Sequence, residues 1–227
     1  MKRFANFSSS SIHKLTTSNP KGDDFGKPAL TYIKEKIYES ELGRPLQKEA
    51  KARPTSWGNL CEPYVFNLLP LEYQLVSNER LQHPTIERWN GMPDSLRDDV
   101  VGDIKCPFTL LSFVDQIKAH EAGLEAFKKE CPDYYWQLIS NAILSNRSRM
   151  EAIVFVPYLD ELTAIRALAD TNPDLGWMKY ASDEELPYLN RGGKFKNLNI
   201  FEYDVPTEDV VFLESRVKKA VKLLPGQ

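Results

Sequence analysis

The chain has 227 residues and a formal net charge of −3, with 42% hydrophobic and 27% charged residues. These values are typical of a globular protein with a full core, and no apolar run approaches the roughly 18 residues that a membrane span needs. The N-terminal sequence lacks the apolar stretch of a signal peptide, and three scattered cysteines argue against a disulfide framework, a zinc ribbon and an iron–sulfur cluster. We therefore expect a cytoplasmic protein with no membrane contact.

The charge is unevenly distributed along the chain. Residues 1–60 contain eleven lysines and arginines against six acidic residues, a net charge of +5, so the remainder carries −8. A basic first quarter is compatible with a DNA-facing surface beside an acidic metal site, because phosphate recognition requires cations. Charge alone favours a simpler interpretation, a solvated basic face on the N-terminal helices.

The first 70 residues predict three helices. A short helix follows the serines of 8–11, which can cap it, and residues 18–28 form a loop rich in Gly, Pro and Asp. The next helix ends at Gly43. A more buried helix spans 57–69, in which Pro63 is tolerable only near the first turn.

The remainder of the chain alternates strands and helices. The segments TIERW and VVGDIKC, within residues 84–106, predict two strands joined by a turn-containing segment. Beyond them we expect strands over 150–157 and 199–205, with helices over 112–128, 133–145, 158–170 and 207–223. The pattern predicts an α/β fold, and strand order cannot be read from it.

Acidic residues and a lysine converge on the strand VVGDIKC. Alternate side chains of a strand share a face, so Asp103 and Lys105 point one way and Ile104 points the other. Asp94 lies nine residues earlier, and the intervening segment is long enough to bring it back beside Asp103. Two converging carboxylates suit Mg²⁺ or Mn²⁺, which prefer oxygen ligands.

Such a site predicts phosphodiester hydrolysis. A bound cation lowers the pKa of a water molecule, Lys105 can orient that water or stabilise developing charge, and Glu62 can add a ligand or a water contact for a second metal. The acid-x-Lys spacing is not specific, because Glu49-Ala50-Lys51 also matches it. A salt bridge at the strand edge is the alternative interpretation, and neighbouring Asp98 and Asp99 are expected in a turn.

Four segments together resemble the phage lambda exonuclease family, which includes the YqaJ-type viral recombination nucleases of the PD-(D/E)xK type. They are, in chain order, WGNLCEP with Glu62, MPDSL with Asp94, DIKCPFT with Asp103 and Lys105, and YYWQL with Gln137. Their order and spacing are close to those of the family over residues 3–157. The resemblance implies a single domain with a restriction-endonuclease-like core, a central mixed sheet flanked by helices. Within it we expect a basic helical part (1–60), a catalytic core (61–157) and C-terminal strand and helices (158–227).

The resemblance also implies roles for individual residues. The main-chain carbonyl of Ile104 would be a further metal ligand, and Gln137 would contact Lys105, the catalytic water or the scissile phosphate. Arg3 and Ser10 match the family positions that hold the 5′-phosphate of DNA, and a helix N-terminus is a natural phosphate site.

Two departures from the family pattern concern this site. Asp103 stands where the family usually has a glutamate, which keeps a carboxylate on a side chain shorter by one methylene. Met92 stands where the family has a serine, so one hydroxyl of the phosphate site is absent and the 5′-phosphate preference is less secure.

The function implied is a Mg²⁺-dependent exonuclease, with Mn²⁺ as an alternative metal and no iron–sulfur cluster. It would degrade one strand of linear duplex DNA from the 5′ end and leave a 3′ overhang for recombination. Family members work as trimeric rings with a single-strand annealing protein, in a bacterial cell or a phage-infected host. An endonuclease on the same fold and a catalytically silent DNA-binding module are the alternatives.

Several other residues are assigned to packing or to the surface. Cys61 and Cys106 are expected in the core, and His120 on a solvated helix face. Of Tyr134, Tyr135 and Trp136, two are expected to face the core.

Overall fold

The computed structural model describes residues 4–20, 22, 24–46, 52–75, 80–169 and 173–225. Within these ranges the strands, in chain order, are β1 (Phe7–Ser8), β2 (Gln74–Leu75), β3 (Leu81–Gln82), β4 (Trp89–Gly91), β5 (Ser95–Arg97), β6 (Val100–Lys105), β7 (Arg149–Phe155) and β8 (Leu198–Asp204). The α-helices are α1 (Lys27–Leu42), α2 (Arg53–Leu68), α3 (Leu110–Glu121), α4 (Leu124–Glu130), α5 (Pro132–Ser145), α6 (Leu162–Ala169) and α7 (Thr207–Val221). Shorter 3₁₀ helices cover Ser9–Thr16, Leu159–Glu161, Pro173–Lys179 and Asp183–Glu185.

A mixed five-stranded sheet forms the centre of the fold. Its strand order is β2-β5-β6-β7-β8, with β6 and β7 parallel and the other pairs antiparallel. A smaller sheet has the order β1-β4-β3. Only residues 92–94 separate β4 of the small sheet from β5 of the large one, so the segment that carries Asp94 connects the two sheets.

Helices cover both faces of the central sheet, so β6 and β7 are buried on both sides. Val101 of β6 packs in one apolar cluster with Tyr135 and Ile139 of α5. On the opposite face, Ile104 packs in a second cluster with Trp57 of α2. The alternation of β6 therefore directs Asp103 and Lys105 toward α5, and Ile104 toward α2. Among the described residues, no helix has the length and apolar character of a membrane span.

The α/β prediction is confirmed, and so are several element boundaries. The helix predicted to end at Gly43 is α1, and Gly43 has φ 67°, the left-handed conformation that commonly ends a helix. β7, β8 and α7 lie within one or two residues of their expected bounds.

Three expectations in the first half of the chain were wrong. The first helix is a 3₁₀ helix, and the side chain of Ser8 at its N-cap makes no capping hydrogen bond. Pro63 lies in the interior of α2 rather than near its first turn. The predicted strand TIERW is mostly a turn, because His83 Nδ1 accepts hydrogen bonds from the backbone N–H groups of Thr85 (3.2 Å) and Ile86 (2.9 Å).

Two expectations in the second half also needed correction. The helix predicted over 112–128 is two helices, α3 and α4, because Gly123 adopts φ 100° between them. His120 is buried, not solvated. Its ring stacks on Phe201 at a centroid distance of 4.5 Å, and its Nδ1 lies 2.9 Å from the hydroxyl of Tyr203. Burial lowers the pKa of His120 to about 4.

Candidate active site

Asp103 and Lys105 form an ion pair at the end of β6. Lys105 Nζ lies 2.5 Å from Asp103 Oδ2, as their shared strand face predicts. The Asp103 side chain is almost completely buried, and that of Lys105 is 19% exposed. The pair therefore lies where β6 leaves the core and meets solvent.

Gln137 of α5 joins both members of this pair. Its Nε2 donates to Asp103 Oδ1 at 2.7 Å, and its Oε1 accepts from Lys105 Nζ at 3.2 Å. One amide side chain thus fixes the orientation of a carboxylate and an ammonium group.

Asp94 directly precedes β5, the antiparallel neighbour of β6. Its Oδ2 accepts a hydrogen bond of 2.6 Å from the backbone N–H of Ile104, and its own N–H donates to the carbonyl of Gly102 at 3.1 Å. A two-residue turn at Asp98 and Asp99, with φ 39° at Asp98, joins β5 to β6 and returns the chain beside Asp94. Both aspartates are turn residues, as expected.

Most of the predicted site residues line a cleft of about 690 Å³. Its lining includes Asp94, Ile104, Lys105 and Gln137, together with Glu62 on α2 and Ser10 on the first 3₁₀ helix. Asp103, whose buried carboxylate contacts Lys105 and Gln137, lies just below that lining. Arg3 lies outside the described residues.

The electrostatics of the site are dominated by crowded negative charge. Burial and then the Asp103 carboxylate raise the pKa of Glu62. The same two causes raise the pKa of Asp94 well above its ordinary value. Burial opposes the charged form of Lys105, but the carboxylates of Asp103 and Asp94 outweigh it and raise the pKa of Lys105. One lysine therefore faces several carboxylates.

The donor set fits a hard divalent cation. Asp103 Oδ2 is buried and contacts the ammonium group of Lys105. The described residues contain no group of three His, Cys, Asp or Glu side chains placed to hold a metal by themselves. Asp94, Asp103 and the carbonyl of Ile104 would therefore hold a cation together with water, as Mg²⁺ sites usually do.

Some cleft residues were not predicted as site residues. Tyr134 lines the cleft, and its ring lies 4.9 Å from Lys105 Nζ. Its position three residues before Gln137 on a helix places both on one face, which is a signal that the sequence contains. Tyr135 and Trp136 are buried, as predicted for two of the three aromatic residues. Asn59 and Gly58 of α2 also line the cleft.

The two cysteines near the site differ in burial. Cys61 is completely buried, as expected. Cys106 is only partly buried and lines the cleft, because it follows Lys105 where β6 ends. Met92, in the position of the absent serine, has 46% of its surface exposed.

Comparison with known proteins bears on the fold. No protein-family model matches the chain, and no curated protein matches it by sequence. The alkaline exonuclease LHK-Exo from Laribacter hongkongensis is similar in structure, with a TM-score of 0.63 and 15% identity over 97% of this chain and 89% of that chain. The chain has the α/β fold of an alkaline exonuclease.

Two further solved structures share this fold. LHK-Exo in complex with dAMP gives a TM-score of 0.65 at 14% identity, with the same coverage of both chains. A phage-related exonuclease from Haemophilus somnus 129PT gives a TM-score of 0.62 at 16% identity, over 96% of this chain and 92% of that chain. The shared fold spans nearly the whole length of each chain.

Proposed function

We propose that this protein is a metal-dependent exonuclease that hydrolyses phosphodiester bonds of linear double-stranded DNA. The observation that carries the proposal is the cluster of Asp94, Asp103, Lys105 and Gln137 at one cleft. The fold shared with an alkaline exonuclease and a phage-related exonuclease supports it.

The residues of the cluster have complementary roles in this proposal. Asp94, Asp103 and the Ile104 carbonyl hold Mg²⁺ or Mn²⁺, with Glu62 beside a second cation or its water. When bound, the cation lowers the pKa of a water molecule and neutralises charge on phosphoryl oxygens. Lys105 remains protonated, because two carboxylates raise its pKa, and supplies positive charge where negative charge develops on the phosphate. Gln137 fixes the relative positions of the Lys105 and Asp103 side chains through its two hydrogen bonds.

The polarity of degradation is proposed to be 5′ to 3′, leaving 3′ single-stranded overhangs for recombination by strand annealing. Ser10 lines the cleft and can donate its hydroxyl to a terminal 5′-phosphate, with Arg3 as its partner. Ser10→Ala should bring the ratio of the cleavage rate at 5′-phosphorylated ends to the rate at 5′-hydroxyl ends closer to one. An unchanged ratio would exclude this role for Ser10.

The first test uses two DNAs incubated with Mg²⁺ or with EDTA. One is linear with a labelled 5′-phosphate, and the other is a closed circle. We expect loss of label from the linear duplex, an intact circle and no reaction in EDTA. Cutting of the circle would favour an endonuclease instead, and inactivity on both DNAs would favour a silent binding module.

The matched variants are Lys105→Ala and Asp94→Asn. Each should lower kcat by about 100-fold or more, because groups that stabilise transition-state charge have effects of this size. DNA binding should change little, and both variants should remain folded. Full activity in either variant would contradict the assignment of the site.

The proposed assembly is a homotrimeric ring around DNA in the cytoplasm of a bacterial or phage-infected cell, with a single-strand annealing protein as partner. A ring retains DNA topologically, which is compatible with the formal net charge of −3. Size-exclusion chromatography with light scattering should give three times the 26.0 kDa chain mass. A monomer at micromolar concentration would exclude the ring.

A further inference from the structure

A chain of hydrogen bonds joins β4, α5 and the first 3₁₀ helix. The indole Nε1 of Trp89 donates to Ser140 Oγ at 2.9 Å, and Ser140 Oγ lies 2.8 Å from Ser9 Oγ. Ser9 Oγ in turn donates to the carbonyl of Asn90 over 3.5 Å. Because an indole N–H only donates and a carbonyl only accepts, the chain has one direction, and Ser140 donates to Ser9. The chain therefore begins and ends on β4 and passes through both other elements.

These hydrogen bonds lie in the core. Ser9, Ser140 and Trp89 are all buried, and neither serine lines the cleft. A buried hydroxyl group costs free energy unless it is hydrogen-bonded, and here each hydroxyl has partners inside the protein. An apolar pair could fill the same space, but only a hydrogen bond restricts both distance and angle. The contact of Ser9 with Ser140 therefore fixes how the 3₁₀ helix lies against α5.

The two elements that this contact joins carry residues of the proposed site. Ser9 directly precedes Ser10, which lines the cleft. Ser140 lies about one turn beyond Gln137 on α5, and Gln137 bonds both members of the ion pair on β6. The contact thus connects the residue proposed to hold a terminal phosphate with the residues proposed to cut the strand.

The distance between these two places has a chemical meaning. A strand whose 5′-phosphate is held at Ser10 is cut where the strand reaches the metal site. The number of nucleotides between the two positions is then the length of the released product. A misplacement of about 1 Å can cost about 100-fold in rate, so a single product length requires that this distance be held closely.

We infer that the hydrogen bond between Ser9 and Ser140 is a positioning contact that sets the length of the product released from the 5′ end. This inference deepens the proposed function and rests on it. Both serines are positioning residues, because they act through Ser10 and Gln137 and contact no substrate. Without their bond the 3₁₀ helix can shift against α5, and a strand held at Ser10 reaches the metal site in more than one register.

The test measures product length in Ser9→Ala and Ser140→Ala. Each protein digests a linear 5′-phosphorylated duplex, uniformly labelled in the strand to be degraded, with Mg²⁺, and denaturing electrophoresis resolves the short products. Wild type should release one product length. In both variants the share of other lengths should rise about tenfold, the factor that corresponds to the net contribution of one hydrogen bond.

The two variants should differ in stability. Ser140→Ala leaves the indole N–H of Trp89 without its acceptor, and the melting temperature should fall by about 5 °C. Ser9→Ala is milder, because Ser140 still accepts from Trp89, so it tests the contact even if Ser140→Ala does not fold. The double variant should release the same mixture of products as Ser140→Ala alone, because both substitutions break one bond. Effects that multiply in the double variant would overturn the contact as their cause.

Two controls separate positioning from loss of stability. Ser145→Ala removes another hydroxyl group of α5, one that donates to the Asn141 carbonyl of the same helix at 2.7 Å. Ile165→Val shortens a buried side chain of α6 and should lower the melting temperature by a similar amount to Ser140→Ala. Both controls should keep the single product length.

The outcomes distinguish this inference from the proposed function. A folded Ser9→Ala protein with the wild-type product length would overturn the positioning contact alone. So would a wild type that itself releases several lengths, or an Ile165→Val protein whose product lengths broaden as much as those of Ser140→Ala. A wild type that digests neither linear nor circular DNA would overturn the proposed function as well.

Discussion

Asp94 lowers the stability of the metal-free fold at the proposed metal site. It is partly buried, accepts a hydrogen bond from Ile104 and lies near the Asp103 carboxylate. Burial, followed by the Asp103 and Glu62 carboxylates, raises its pKa. The ionised form that a cation needs is therefore the form that destabilises the metal-free fold.

The raised pKa of Asp94 predicts how the stability of the metal-free protein changes with pH. A carboxyl group with a raised pKa in the folded state favours folding below its unfolded pKa, and that contribution is lost as pH rises through the folded pKa. Metal-free Asp94→Asn should thus unfold at a higher temperature than wild type at pH 7. Each unit of the pKa rise corresponds to about 1.4 kcal/mol, and the difference should vanish below about pH 4. Thermal scans in EDTA across this range provide the measurement.

Asp99→Asn is the control, for which we expect the opposite change in melting temperature. Hydrogen bonds from the hydroxyl and then the backbone N–H of Ser148 lower the pKa of Asp99. Its carboxylate stabilises the fold above the unfolded pKa, and this contribution is lost as pH falls. Asp99→Asn should therefore lower the melting temperature at pH 7. Adding Mg²⁺ should stabilise wild type more than Asp94→Asn; equal stabilisation of both would place the cation elsewhere.

Three elements that carry site residues meet at Gly91 of β4. The strand leads to Asp94, Ser9 precedes Ser10 on the 3₁₀ helix, and Asn141 lies one turn beyond Gln137 on α5. A Cβ at Gly91 would overlap Ser9 Oγ and lie 2.5 Å from Asn141 Oδ1. The close approach of these elements therefore requires glycine.

Gly91→Ala should separate these elements. We expect a loss of about 1–3 kcal/mol in the free energy of unfolding, as for other overpacked cores, together with a lower kcat because Asp94 is displaced. Urea titration and the linear-DNA assay measure the two effects. Gly176→Ala is the control, because a Cβ there would meet no atom within 4 Å. If Gly91→Ala matches Gly176→Ala in stability, the packing argument is wrong.

Local sequence patterns predicted those parts of the site whose geometry depends on a single strand or turn. Asp103 and Lys105 share a face because β6 alternates, and the turn at Asp98 and Asp99 returns the chain to Asp94. The bonds from Gln137 to both groups depend on how α5 crosses the sheet, which only the family resemblance indicated.

The incorrect predictions have two physical causes, which are contacts with distant elements and single residues whose backbone conformation does not follow the hydrophobic pattern. His120 has a polar side chain on a helix, but β8 covers it with Phe201 and Tyr203. Gly123 divides α3 from α4 through a positive φ that no local hydrophobic pattern reveals. Pro63 lies inside α2 against the local helix preference of proline.

The distribution of charge over the molecule suggests a path for DNA beside the cleft. Ser10 lines the cleft, and His13 lines a second depression of about 540 Å³. Both lie on the 3₁₀ helix, in which side chains three residues apart eclipse each other, so Ser10 and His13 lie on one face of this helix. Lys14 and Lys27 lie at the second depression and belong to the basic first quarter of the sequence.

If these lysines contact phosphates, they should determine how strongly binding depends on salt. Each phosphate contact contributes about 0.9 to the slope of log affinity against log salt concentration, because binding releases condensed counterions. Lys14→Gln with Lys27→Gln should therefore weaken binding of a linear duplex and reduce the slope by about 1.8. Lys129→Gln with Lys222→Gln removes the same charge from α4 and the end of α7, away from both depressions. Equal slopes for the two double variants would show that Lys14 and Lys27 act only through net charge, whereas a difference would place the duplex along the first 3₁₀ helix.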